Sequence, residues 1–233
     1  MIVALNNKSN LKKEEFMDYQ QQLNKINSNI TLILCASPLN IANCNYINYH
    51  LGSQNVSKDN EGAHTGEIAA SQLKSYNVEY CLVGHSERRQ NQKETNEEIA
   101  AKIQKLYEVG IKPILCIGET REERENGIVE KVIEEEIITA TKNLSSEEKE
   151  ELIIAYEPIW SIGTGLIPTN KEIGEILNFI KQLLPNSKIL YGGSANEENV
   201  DELKQCAEID GYLLGGLSLK PEKLNIFLQK LHN

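Results

Sequence analysis

The sequence predicts an α/β protein whose strands and helices alternate around a closed (β/α)8 barrel. Three observations point there. Short apolar runs recur along the 233 residues, and several are apolar at consecutive positions, as strands buried on both faces are. Between these runs the apolar spacing lengthens to the 3.6-residue period of an amphipathic helix. Strand and helix alternate about eight times, which implies a parallel sheet with right-handed crossovers. Eight units in this length favour a single barrel domain over residues 1–233. An open doubly wound sheet is the alternative that periodicity alone leaves standing.

The elements follow in order. Residues 1–5 read as a strand that begins at once, and Phe16, Tyr19, Leu23 and Ile26 stripe a first helix. Residues 30–35 form the second strand, and the pattern then weakens over residues 41–46 and 49–54. Further strands are read at 80–83, 114–117, 152–156, 189–191 and 212–214. Ile99, Ile103, Leu106 and Tyr107 stripe a helix with a capping box at Thr95 and Glu98 and a stop at Gly110. Val129, Val132, Ile133, Ile137 and Ala140 mark another, and Ile173, Ile176, Leu177, Ile180 and Leu184 a third. Leu224, Phe227, Leu228 and Leu231 mark the last. The acidic runs 134–136 and 145–151 read as solvated helix faces or loop.

Composition bounds the function. The formal charge of −10 argues against nucleic acid and anionic membranes as partners. It leaves room for a small anionic ligand, because backbone N–H groups and one lysine can reverse the field locally. No apolar run approaches the ~20 residues needed to span a bilayer, and residues 1–5 carry no basic leader. The five cysteines are scattered without a C-x-x-C pair, which fits free thiols in a reducing cytoplasm and not a disulfide or zinc framework.

In such a barrel the chemistry sits at the C-terminal ends of the strands. That rule selects Asn6 and Lys8 after the first strand, His85, Ser86 and Glu87 after the fourth, and Glu157 after the sixth. It also selects Gly192-Gly193-Ser194 after the seventh strand and Gly215-Gly216 after the eighth. Glu157 follows four apolar residues and precedes a proline; a carboxylate there is costly unless it is used or paired. A salt bridge inside the barrel is the structural alternative for it, as a core histidine is for His85. The two late glycine turns can bring backbone N–H groups close to a phosphate, or can be simple tight turns. Residues 159–169, with Gly163 and Gly165 inside, make a loop long enough to close over a site.

These motifs together resemble the triosephosphate isomerase family. Asn6-x-Lys8-x-Asn10, the run from Gly84 to Arg89, Cys116-Ile117-Gly118-Glu119-Thr120, the run from Ala155 to Gly165, Tyr191-Gly192-Gly193-Ser194 and the run from Asp210 to Gly216 occur in the family's order. The glutamate and histidine runs are specific; the glycine turns alone are weak. The resemblance implies a TIM barrel that interconverts dihydroxyacetone phosphate and D-glyceraldehyde 3-phosphate, a reaction of glycolysis and gluconeogenesis, with no cofactor and no metal. This family is a standard example of pKa tuning and lid closure. By the resemblance Glu157 is the base, His85 the neutral electrophile and Lys8 the cation that offsets substrate charge, with Asn6 beside it. Gly163, Ser194, Gly215 and Gly216 match the phosphate donors, Glu87 a carboxylate near the lysine, and Ser86 a hydroxyl that touches the resting base. The family's homodimer implies that Thr65, in Gly62-Ala63-His64-Thr65-Gly66-Glu67, reaches a neighbouring subunit.

The chain departs from the family at three positions. Asn7 replaces an aromatic, Ser9 a methionine, and His64 a phenylalanine. The first two flank Lys8 and the third lies in the interface loop, so they bear on how loop one is held and on dimer packing. The region of the second helix is also short. Two other functions remain in view: another phosphate-binding barrel isomerase or epimerase, which should lack the glutamate and histidine runs together, and a catalytically silent binding protein, which the retention of Asn6, Lys8, His85 and Glu157 argues against.

Overall fold

Eight strands close into a parallel barrel in sequence order, with β8 returning to pair with β1. The computed structural model describes residues 1–45, 47–162, 164 and 166–232. The strands are β1 (Ile2–Asn6), β2 (Thr31–Ala36), β3 (His50–Ser53), β4 (Tyr80–Val83), β5 (Lys112–Ile117), β6 (Ile153–Tyr156), β7 (Lys188–Tyr191) and β8 (Gly211–Leu214). The helices are α1 (Lys13–Leu23), α2 (Pro38–Ile41), α3 (Ala70–Ser75), α4 (Ser86–Asn91), α5 (Asn96–Glu108), α6 (Arg121–Glu125), α7 (Val129–Thr141), α8 (Ser146–Glu151), α9 (Asn170–Leu183), α10 (Val200–Leu203) and α11 (Pro221–His232). The weak stretch at 49–54 is therefore a short true strand. The stretch at 41–46 is the end of a four-residue helix and its exit, with Tyr46 outside the described residues.

The consecutive apolar runs have a direct cause. Strand side chains alternate between two faces, and both faces are buried here. Ala4, Ile33, Cys35, Leu82, Ile114, Cys116, Ala155, Leu190 and Leu213 fill the barrel interior as one cluster. Their neighbours along the strands, among them Val3, Leu5, Leu34, Val83, Leu115 and Ile154, pack outward with the helix stripes of Phe16, Ile99, Ile103, Ile173, Leu177 and Phe227. The capping box at Thr95 and Glu98 is formed, and equivalent boxes start α6, α8 and α9. All five cysteines are free, and only Cys44 is not fully buried. Among the described residues no helix is long and apolar enough to cross a membrane.

One expectation for the acidic runs fails. Residues 145–151 are capped and surface-lying, as read, and Glu134 and Glu135 are exposed. Glu136 is buried. It lies at the core-facing register of α7, three residues after Ile133 and four before Ala140, so the helix turns it inward. There its Oε2 accepts the Gly118 N–H at 3.0 Å and its Oε1 lies 3.2 Å from Arg89 Nη1. Burial pushes its carboxyl up to about 7, against the opposing pull of Arg89 and the Gly118 N–H.

A carboxyl raised on folding stabilises the fold below its unfolded value and loses that contribution as pH climbs through the folded one. The difference in unfolding free energy between the native chain and Glu136→Gln, which has no proton to lose, should therefore move against the native chain from about 4.5 to about 7. Denaturant melts of both proteins across this range test it; a difference that stays constant with pH contradicts it.

Candidate active site

The strand ends converge on one cleft of about 400 Å³ whose lining includes Asn6, Lys8, His85, Glu157, Ser194, Gly215 and Gly216. Each side chain is placed by local structure. Lys8 has φ +53°, a left-handed conformation uncommon for a lysine. Neighbours hold it there: Asn6 Oδ1 accepts the Lys8 N–H at 3.0 Å, and Gln54 Nε2 donates to the Lys8 carbonyl at 2.8 Å and the Cys35 carbonyl at 3.0 Å. The Lys8 ammonium donates to Glu87 Oε1 at 2.5 Å, which points it across the cleft mouth toward β4.

The two departures beside Lys8 resolve differently. Asn7 is buried, and its Nδ2 donates to Ser218 Oγ at 3.1 Å and more weakly to Tyr19 Oη at 3.4 Å. Ser218 Oγ donates in turn to the Asn6 carbonyl at 3.1 Å. A polar tie to the turn after β8 thus stands where the family has an aromatic ring. Ser9 is exposed.

His85 is the N-cap of α4, and its Nδ1 accepts the Glu87 N–H at 3.3 Å. A backbone N–H can only donate, so Nδ1 is unprotonated and the ring proton sits on Nε2. That nitrogen lies 3.2 Å from Glu157 Oε1. Burial lowers the basicity of the ring; the Glu157 carboxylate more than offsets this, and the His85 pKa is raised above the usual histidine value. An imidazolium could not keep the Glu87 N–H, so protonating the ring and capping the helix exclude each other. Glu157 is itself buried, and its second oxygen, Oε2, has no hydrogen-bond partner among the described residues. The space for it exists because Gly192 has no side chain: a Cβ there would lie 2.7 Å from Glu157 Cγ. Ser86 is buried and lines a small crevice with Glu157, while the oxygen of Glu157 that has a partner faces His85.

The loop after Glu157 is tied down at its start. Ser161 is buried, and its carbonyl accepts from Ser194 Oγ at 2.7 Å. Trp160 Nε1 donates to Glu119 at 2.8 Å, and Glu119 is fully buried. Tyr156 Oη donates to the same carboxylate at 3.0 Å, and Arg124 lies 3.3 Å from it while stacking on Trp160. Farther along, Leu166 and Ile167 are exposed. Gly163 lies outside the described residues, as does Gly165. Thr65 lies away from the cleft in a fully exposed stretch, residues 60–67, with His64 beside it.

The strand-end rule also covers Gln54 and Glu119, which follow β3 and β5, although neither was singled out for a role by sequence. Lys220 and Lys223 line the outer cleft without any such signal; they come from the turn and helix after β8.

Comparison with known proteins agrees with this geometry. A model of the family described as triosephosphate isomerase matches residues 1–231. A protein of that name from Mesomycoplasma hyorhinis is 40% identical over 222 residues, covering 92% of this chain and 90% of its own. One from Dictyoglomus turgidum is 42% identical over 181 residues, 74% of this chain and 73% of its own. One from Carboxydothermus hydrogenoformans is 41% identical over 191 residues, 78% of this chain and 76% of its own. The chain belongs to the triosephosphate isomerase family.

Proposed function

We propose that the chain, as one isomerase domain over residues 1–233, interconverts dihydroxyacetone phosphate and D-glyceraldehyde 3-phosphate through an enediolate, with Glu157 as the base. The observation that carries this reading is the meeting of Glu157 and His85 Nε2 at 3.2 Å on the wall of a cleft that also holds Lys8 and the glycine turns. Moving a proton between adjacent carbons needs one base, one donor to the oxygens and a fixed positive charge. The phosphate enters between Ser194, Gly215 and Gly216, with Gly163 joining them by the family resemblance. This places the reacting carbons toward Glu157.

Glu157 and the His85 Nε2–H satisfy each other at 3.2 Å. A bound carbonyl takes over the Nε2–H, and Glu157 turns to the carbon acid, where its unpartnered Oε2 is available as acceptor. Withdrawing that carboxylate also removes the influence that raises His85, so the ring stays neutral while it polarises the carbonyl. Lys8, held by Asn6 and Gln54 and lying against Glu87, offsets the charge of phosphate and enediolate. Residues 159–169 close over the site and exclude water, which strengthens each of these contacts. Ser86 supports the resting base.

The enzyme acts as a homodimer in the cytoplasm. Two features support this: residues 60–67 are exposed throughout, and a second cavity of about 450 Å³ opens beside Lys8, lined by Gln54, Asn55, Glu87 and Arg88. The loop around Thr65 of a second copy suits that cavity. Five free thiols suit a reducing compartment.

Glu157→Gln should leave the circular-dichroism spectrum unchanged and lower kcat by about 10²–10⁴-fold. A variant within a few-fold of the native rate would remove Glu157 from the role of base. For the assembly, sedimentation at micromolar concentration should show a dimer; a fully active monomer would contradict the Thr65 interface.

A further inference from the structure

Half-buried Arg89 and buried Glu136 form a pair that the proton-transfer scheme leaves unused. Arg89 lies on α4, on the same turn-and-helix unit as His85. Its Nε donates to the Gly84 carbonyl at 2.7 Å, its Nη1 to Asn96 Oδ1 at 2.5 Å and its Nη2 to the Cys116 carbonyl at 3.2 Å. The same guanidinium meets Glu136 Oε1 at 3.2 Å, and Glu136 Oε2 takes the Gly118 N–H at 3.0 Å. Gly84 is the residue immediately before His85, and it turns the chain with φ +69°.

The other end of the pair reaches the base. Residues 117–119 bracket Glu157: the Ile117 carbonyl accepts the Glu157 N–H at 2.8 Å, and the Glu119 carbonyl accepts the Ile159 N–H at 3.0 Å. Gly118 sits between these two bonds, and a Cβ on it would lie 1.8 Å from the Glu157 carbonyl oxygen. The Gly118 backbone is therefore pressed against that of the base, and Glu136 holds its N–H from the opposite side.

We propose that Glu136 and Arg89 are positioning residues for the reaction: together they fasten the peptide that leads into His85 to the segment that carries Glu157, and so set the spacing of donor and base. This rests on the roles given above to His85 and Glu157. Charge-assisted hydrogen bonds in a dry setting are strong and directional enough for such a fastening. The phosphate turns lie on β7 and β8, across the cleft, so a loosened pair should slow the chemistry without weakening substrate binding. Misplacing catalytic groups by about 1 Å can cost ~10²-fold in rate.

The test is steady-state kinetics with dihydroxyacetone phosphate on the native chain, Glu136→Leu, Glu136→Asp and Glu136→Gln, with thermal melts alongside. Leucine removes both acceptors, and aspartate is too short to reach Arg89 and Gly118 together. Each should lower kcat by at least about ten-fold with KM within about two-fold, whereas glutamine, whose single carboxamide oxygen keeps an acceptor for either Gly118 or Arg89 but turns an NH2 toward the other, should fall between these variants and native. If the leucine variant does not fold, the aspartate variant gives the kinetic answer. Lowered melting temperature with native kcat per folded molecule would overturn the proposal, as would a leucine or aspartate variant whose loss lies in KM with kcat unchanged. An inactive native chain would instead refute the assigned reaction itself.

Discussion

The contact between His85 Nε2 and Glu157 Oε1 is the constraint on which the rest of the site depends. It joins the ends of β4 and β6, which are not neighbours in the barrel; β5 stands between them. Two buried ionisable groups held in contact are unfavourable unless their remaining polar atoms and backbone are fixed. The structure supplies that fixing from both sides. The helix cap on Nδ1 settles the tautomer of His85, and the backbone of residues 117–119 settles the position of Glu157. Among the described residues, Oε2 of Glu157 is the one polar atom of the pair left without a hydrogen-bond partner.

Lys8 solves a different problem. The chain carries a formal charge of −10, and the substrate of its family is a triose phosphate. Lys8 is held in a backbone conformation that costs energy, by Asn6 on one side and Gln54 on the other. Asn7, buried and tied to Ser218, links this first loop to the turn after β8 that begins with Gly215 and Gly216. Where the family has an aromatic residue, this chain ties the lysine loop to that turn by hydrogen bonds.

Much of this was legible in the sequence, and for physical reasons. Strands buried on both faces must be apolar at consecutive positions, so a polar residue at a strand end stands out; Asn6, His85 and Glu157 were visible that way. Glu119 and Gln54 obey the same rule, but their work is to hold other residues, which composition and spacing do not disclose. Glu136 sits in a run of three glutamates, which reads as a solvated face. Its register told otherwise: it falls on the stripe of Ile133, Ile137 and Ala140, where a solvated residue does not belong. Its partner Arg89 ends the run that begins at Gly84, but that run does not disclose the pairing, which depends on α4 and α7 meeting in space. Weak periodicity at 49–54 reflects a strand of only four residues, one of them glycine.

Isomerisation in deuterated water tests the central claim most directly. The native chain, treated with a chelator and supplied only with dihydroxyacetone phosphate, should form D-glyceraldehyde 3-phosphate carrying solvent deuterium at carbon 2, because a single carboxyl group that exchanges with solvent returns the proton. Failure to form the aldehyde under these conditions would contradict the account.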